Sequence, residues 1–423
     1  MKQVLSSAWA LLLGMGLLMV GNGLQGTLLG VRGEIEGFST LQMSFVMSAY
    51  FLGFLGGSKL APEMIRRVGH VRVFAALASF ISAVMILYPT FTDPVAWALG
   101  RVVIGFCFSG VYVTAESWLN NAADNENRGK ALSLYMIVQM AGVVSAQAMM
   151  LLGDPAGYDT FVLASVLVSV SFAPILLSIS PTPAFETTKP MSLKKLMETS
   201  PLGCVGMFLM GSVFAAQFGM SAVYGAKVGL SVAQISGFVA TFYVGALILQ
   251  YPLGWMSDRM DRRLLILMVA AVAGVGAVLG MVLGGVYVML LMSAFVVGGM
   301  TNPLYSLLIA HTNDYLEHDD MAAASGGLIF INGLGAIAGP LITGWLMGDG
   351  VFGPPGFFVL MAGLLFALAA YALYRTTQRP AVPVEDTASY APVSPSSTPV
   401  AVEVAQEYAI EAEQEAQDET DAA

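Results

Sequence analysis

Charged side chains are so sparse in this chain that each one inside an apolar stretch stands out. Arg101 falls within the apolar run 95–119. A guanidinium there is costly and usually faces a cavity or a partner, which fits an anion anchor or a coupling group. The plainer alternative is a long side chain snorkelling out of the apolar layer. Glu116 lies near the other end of the same run. Between two later runs stands Gly254-Trp-Met-Ser-Asp258-Arg259-Met-Asp261-Arg262-Arg263. A glycine turn there brings two helices together, and Asp258 can face a helix N-terminus, where the dipole favours an anion. The arginines can pair with acids such as Asp314 and release them again. An ordinary basic loop is the competing explanation. A related stretch, Gly57 to Arg72, carries Glu63, Arg66, Arg67 and Arg72. Uncharged polar residues also sit inside the apolar runs: Asn22, Gln25, Gln139, Gln147, Gln217, Tyr224, Tyr243, Gln250, Asn302, Tyr305 and Asn332. Each can serve as hydrogen-bonding glue between helices or as a ligand contact.

The elements that position these groups follow from hydropathy. Hydrophobic residues make up 57% of the 423-residue chain and charged residues 11%. The mean hydropathy is +0.74. So few charges cannot cover that much apolar surface in water, so lipid must be the solvent. About twelve runs are each long enough to cross a bilayer as a helix: 8–29, 43–62, 73–92, 95–119, 131–152, 158–180, 201–223, 233–256, 264–284, 286–311, 322–347 and 355–375. Helices are required because a bilayer offers the backbone no other partner. The longest polar break, Pro181 to Pro201, divides the runs six and six. The expected organisation is a six-helix half at 1–180, a cytoplasmic loop at 181–200, a second half at 201–378 and a disordered tail at 379–423. Shifting the first half by 195 residues brings Glu63 onto Asp258, Arg67 onto Arg262 and Glu116 onto His311, the mark of an internal repeat.

The net charge of −10 belongs to the tail. Ten of the 28 acids lie between Glu385 and Asp421, leaving 18 against 18 bases in the rest. No basic face for nucleic acid results. The Lys/Arg bias puts Arg66, Arg67, Arg72, Arg128, Lys130, Lys189, Lys194, Lys195, Arg259, Arg262 and Arg263 on one side, with Arg32 and Lys227 opposite. Both termini and the 181–200 loop are then cytoplasmic in a multi-pass protein of the cell inner membrane. The N-terminal run lacks a cleavage site and reads as a retained first helix. Cys107 and Cys204 lie in separate runs without ligand spacing and read as packing residues. The cluster His311, Asp314, Glu317, His318, Asp319 and Asp320 reads as a solvated loop capping the next helix. Gly274-x-Gly276 and Gly333-x-Gly335 lack the strand and spacing of a nucleotide fingerprint, and no phosphate-binding lysine loop occurs. No cofactor, no metal and no enzymatic nucleophile–base set is expected.

The 254–263 stretch resembles the G-x-x-x-D-R-x-G-R-R loop signature of the major facilitator superfamily, with Asp261 in place of the second glycine. The 57–72 stretch resembles a degenerate copy, with Glu63 for the aspartate and Lys59 for the leading glycine. Arg101-Val-Val-Ile-Gly105 is similar to the superfamily's R-x-x-x-G element, and Glu116 followed by Arg128-Gly129 to the end of its fourth span and start of its fifth. The Gly-Pro-rich antiporter pattern is absent from the fifth run. The resemblance covers Met1 to about Gln378. It implies twelve helices in two halves, with spans 1, 4, 7 and 10 lining the pathway. That raises Asn22, Gln25, Arg101, Gln217, Asn302 and Tyr305 as substrate contacts. It also implies gating by Asp258, Arg259, Arg262, Arg263, Glu63 and Arg67, with Glu116 as a partner of the loop arginines.

The expected function is secondary active transport of a small organic solute by alternating access around a midplane site. Arg101 leans the solute toward an anion or zwitterion, with protons or ions as the coupling species and a monomer as the working unit. Two alternatives stand beside it: a proton-coupled exporter of drugs or metabolites, and a transporter-like membrane sensor that uses the tail to bind a partner.

Overall fold

A computed structural model describes residues 2–122, 125–177, 191–383, 387 and 390–407. The long helices are α1 (Lys2–Ile35), α2 (Thr40–Val68), α3 (His70–Thr90), α4 (Pro94–Ala122) and α5 (Asn125–Met149). They continue as α6 (Asp159–Ser171) with the short α7 (Ala173–Leu177), then α8 (Leu193–Thr199), α9 (Pro201–Lys227) and α10 (Val232–Ser257). The series ends with α11 (Arg262–Leu283), α12 (Tyr287–Asn313), α13 (His318–Leu346) and α14 (Gly356–Thr376). A last helix, α15, covers 399–407. Among the described residues, 11 helices are long and apolar enough to cross a membrane. The sequence-based count of twelve differs at α2. Its 29 residues are ample in length, but Gln42, Ser44, Ser48, Ser58, Lys59 and Glu63 dilute its apolar content. Large side chains such as Phe45, Leu52, Leu99, Val166, Ile248 and Tyr251 point outward. An exposed apolar belt of this extent needs lipid around it.

Helix pairing repeats along the chain. α1 packs on α5 and α6, α2 on α4, and α3 on α4 and α6. In the same way α9 packs on α13 and α14, α10 on α12, and α11 on α12 and α14. The local chemistry repeats too. Ser39 and Gln42 form a capping box at the start of α2, and Ser231 and Gln234 form one at the start of α10. Each box satisfies two backbone donors that the first helical turn leaves free. Where α2 crosses α4, a Cβ on Gly53 would sit 1.9 Å from the Val102 carbonyl oxygen. Where α10 crosses α12, a Cβ on Gly245 would sit 2.3 Å from the Phe295 oxygen. Glycine lets the two backbones touch, the close approach that membrane helices use in place of a hydrophobic drive.

The six-helix sets meet through α1 with α9, α2 with α13, and α5 with α10. At the end of the bundle where α2 begins, the Ser48 hydroxyl donates to the Ile337 carbonyl at 2.7 Å. A Cβ on Gly344 would lie 2.3 Å from that of Ser44, so this end is shut by direct packing. At the other end the chain's C-terminal segment lies between the two sets. The expectation of a disordered tail therefore fails for residues 390–407. Val393, Ala401, Val402, Val404 and Ala405 are buried there, forming an apolar face that the flanking prolines and serines mask in the sequence. The acidic stretch beyond 407 and the first half of the 181–200 loop lie outside the described residues.

Candidate functional site: a central cavity and the loops that close it

The central cavity forms where the two helix sets face each other midway along the bundle. It has a volume of about 70 Å³. Asn22 of α1, Tyr50 and Ser58 of α2, Tyr112 of α4 and Gln139 of α5 line one side. Phe214 and Phe218 of α9, Tyr243 of α10, Asn302 of α12 and Asn332 of α13 line the other. Ser394 to Ser397 of the tail form its floor. Every side chain lining the cavity is uncharged. Its polar groups are amides, phenols and small hydroxyls, and the rest of the wall is Phe, Met, Leu and Val. The Asn22 amide donates to the Tyr112 hydroxyl at 3.3 Å, which itself points at the Met19 sulfur at 3.3 Å. Asn332 donates to the Met207 carbonyl at 3.2 Å. The Asn22 carbonyl oxygen has no partner although it is buried. Such an acceptor is costly in a dry interior.

Of the six residues put forward as substrate contacts, Asn22 and Asn302 line this cavity. The other four do not. Gln217 lies one layer back and accepts from the Thr301 hydroxyl at 3.1 Å. Tyr305 is buried on α12 with its hydroxyl unpartnered. Arg101 is fully buried behind Tyr50, with its guanidinium 4.6 Å from the centre of that ring and Nη2 3.7 Å from the Met47 sulfur. Among the described residues its Nε and Nη1 have no hydrogen-bond partner. A cation over an aromatic face gains from the ring's quadrupole, which partly offsets the missing carboxylate. Tyr50, Tyr112 and the tail serines were not anticipated as site residues. Of these missed residues, the two tyrosines carried a readable signal in the sequence, as polar-tipped aromatics inside apolar runs.

The basic loops lie at the end of the bundle where the tail docks, and their ion pairs form within each helix set. The Arg262 guanidinium pairs with Asp314, both side chains being almost fully buried. It also donates to Ser257 Oγ at 3.0 Å and the Ala310 carbonyl at 3.3 Å. Asp258 is looser: its side chain is 43% exposed and stands 3.5 Å from Arg262. Its carboxylate instead accepts the Tyr390 backbone N–H at 3.0 Å. Asp261 caps α11 through the Arg263 N–H at 2.9 Å and grips the Arg263 side chain at 2.8 Å. Partial burial pushes the Asp261 carboxyl up, but the Arg263 side chain and backbone N–H reverse this and hold it below its ordinary value. Arg259 lies over the Trp255 ring at 4.4 Å. Glu63 pairs with Arg66 and Arg67, each at 2.6 Å, on its own exposed helical turn. The expected partnership of Glu116 with arginine is not what forms among the described residues. One oxygen accepts from the Tyr135 hydroxyl at 3.3 Å, and the other from the Thr398 N–H at 3.1 Å and the Thr398 hydroxyl. Tail hydroxyls reach this carboxylate because the chain doubles back into the cleft.

The sequence pattern of the Major Facilitator Superfamily matches residues 11–226 and again 202–405. An uncharacterized MFS-type transporter of Yersinia pestis (strain Pestoides F) is 25% identical over 329 residues, 77% of this chain and 85% of that protein. The uncharacterized MFS-type transporter YcaD of Escherichia coli O6:K15:H31 (strain 536 / UPEC) is 27% identical over 338 residues, 78% of this chain and 86% of its own. A mutant of the nucleoside transporter NupG superposes with a TM-score of 0.72 at 15% identity, covering 86% of this chain and 98% of NupG. A bacterial homolog of the human lysosomal transporter Spinster, inward-facing and occupied, superposes with a TM-score of 0.67 at 15% identity, covering 90% and 98%. With both six-helix sets matched in sequence, this chain belongs to the major facilitator superfamily and is a membrane transporter of small-molecule solutes, not an enzyme.

Proposed function

We propose that this transporter carries a small, uncharged organic solute with hydrogen-bonding groups and an apolar face, by alternating access through the central cavity. The observation that carries this reading is the lining. Both helix sets contribute amides and phenols to one space, and among the described residues no charged side chain lines it. A solute held by groups from both sides ties its occupancy to the relative position of the sets, as alternating access requires. The moving units in this reading are residues 1–180 and 201–378, joined by the 181–200 loop. The helix α2 acts as the twelfth span, since it packs between α4 and α13 along its length. The end with the basic loops faces the cytoplasm, by the Lys/Arg bias. The solute or a proton gradient drives transport, and a monomer suffices because both walls of the cavity belong to one chain.

A second reading has its own support. The unpartnered Nε and Nη1 of Arg101 favour an anionic or zwitterionic solute whose carboxylate reaches past Tyr50. A thermal-shift screen of the purified protein against a metabolite library separates the two, because a ligand that binds only the folded state raises its melting temperature. The expected hits are uncharged compounds, with the shift lost in Asn302→Ala and kept in Arg101→Met. Hits confined to carboxylates or phosphates, with the shift lost in Arg101→Met, would contradict the uncharged reading. So would the persistence of every shift in Asn302→Ala.

A further inference from the structure

We infer that the C-terminal segment 390–407 is a built-in plug: it docks in the cytoplasmic cleft, seals the central cavity from below and must leave before solute can pass. Docking is spread over both helix sets. On one side, Thr398 donates its N–H at 3.1 Å and its hydroxyl to Glu116 of α4. On the other, Gln250 of α10 donates to the Tyr390 hydroxyl at 2.8 Å, and the Tyr390 N–H donates to Asp258 at 3.0 Å. The Val393 N–H donates to the Ser306 hydroxyl of α12 at 3.0 Å, and that hydroxyl donates back to the Val393 carbonyl at 3.1 Å. The Gln406 amide donates to Ser325 of α13 at 3.1 Å. Between these anchors, Ser394 to Ser397 line the cavity on the side where the tail docks.

The receiving surface is shaped for this segment. A Cβ on Gly254 would lie 2.8 Å from the Tyr390 ring, so the glycine that leads the loop signature makes the space the ring occupies. Glu116 is 2% exposed, and a buried carboxylate without donors is strongly disfavoured. Thr398 supplies two of those donors. The plug itself is chemically suited: from Tyr390 to Val402 it has no charge, and its apolar residues bury against the cleft. Because the plug bonds to α4 on one side and to α10, α12 and α13 on the other, it also fixes the distance between the sets. Solute entry and rocking are both blocked while it stays. That consequence rests on the proposed solute path, whereas the docking does not.

The test reads access to the cavity, not flux, so it stands apart from the identity of the solute. Ser58→Cys, in a background with Cys107 and Cys204 replaced by serine, is labelled with a membrane-impermeant maleimide from the cytoplasmic face of inside-out vesicles. Ending the chain after Pro383 should speed labelling. If the undocked state is a minor one, populated at about 0.1–10%, the gain is roughly ten- to a thousandfold. Gly254→Val, which leaves the tail in place but removes the seat for Tyr390, should give a smaller gain in the same direction. A synthetic peptide of residues 387–407 added to the truncated protein should restore protection. Position 393 and position 306, both changed to Cys in the full-length chain, should form a disulfide under mild oxidation. Unchanged labelling after truncation, or failure of the 393–306 pair to crosslink in folded protein, would overturn the plug.

Discussion

The ionic residues of the loop signature carry unequal weight. Arg262 and Asp314 form a pair whose side chains are 1% and 3% exposed, whereas Asp258 is 43% exposed and 3.5 Å from the same guanidinium. Breaking a buried pair strands a charge and costs about 3–5 kcal/mol. An exposed pair contributes about 0–1 kcal/mol. Asp314→Asn should therefore lower the melting temperature in detergent much more than Asp258→Asn. Equal losses would show that the two carboxylates share the load. Arg101 is the converse case, a buried cation held by a tyrosine ring and a sulfur with no carboxylate. Arg101→Met removes an expensive group while keeping length and packing, and replacing buried ionic groups by apolar ones often stabilises by about 1–4 kcal/mol. A higher melting temperature is expected; a large fall would show that the guanidinium holds the surrounding helices together. The loop signature was legible as a run of residues, and its pairing with Asp314 was anticipated. The place of Arg101 was not, because Tyr50, which screens it from the cavity, comes from another helix and from 51 positions earlier in the chain. Nothing in the fourth apolar run alone reveals that screen.

Among the elements, hydropathy located the spans well because a bilayer demands one length and one composition. Hydropathy is least decisive at α2, whose polar residues Ser48 and Ser58 face the seam with α13 and the cavity rather than lipid. It failed at α15. Val400, Ala401, Val402, Val404 and Ala405 do fall on one helical face, but the helix is short and follows a Pro/Ser-rich stretch with the composition of a linker. Its partners, Glu116 and Ser325, lie far away in the sequence, so no local pattern exposes the docking. The glycine seams yield a prediction of their own. A Cβ on Gly344 meets Ser44 at 2.3 Å, at the end where the two helix sets touch directly. Gly344→Val should wedge α2 from α13 and bias the protein toward opening there, with little loss of folded yield because the seam is between the sets. Gly105→Val lies within one set, where a Cβ already meets the Tyr50 carbonyl oxygen at 1.9 Å, and should instead abolish folding. Labelling of cavity cysteines and yields by gel filtration compare the two. Equal effects would contradict the distinction between a moving seam and a fixed one.

For the whole molecule, helix pairing repeats between α1–α6 and α9–α14, and a cavity lies between the two sets, the arrangement on which the proposed alternating access rests. This structure is closed by helix packing at one end and by its own C-terminal segment at the other. Most of the acidic content that dominates the net charge sits in and around that segment, so ionic conditions at that end bear on the plug more than on the helices. The most direct test of alternating access is two-sided labelling of one cavity residue. Asn302→Cys, in a chain without other cysteines and ending after Pro383, is exposed to a membrane-impermeant maleimide in right-side-out and in inside-out vesicles. Modification from both faces is predicted, with the outer reaction slower and accelerated by Gly344→Val. Modification from the cytoplasmic face alone, unchanged by Gly344→Val, would contradict the account.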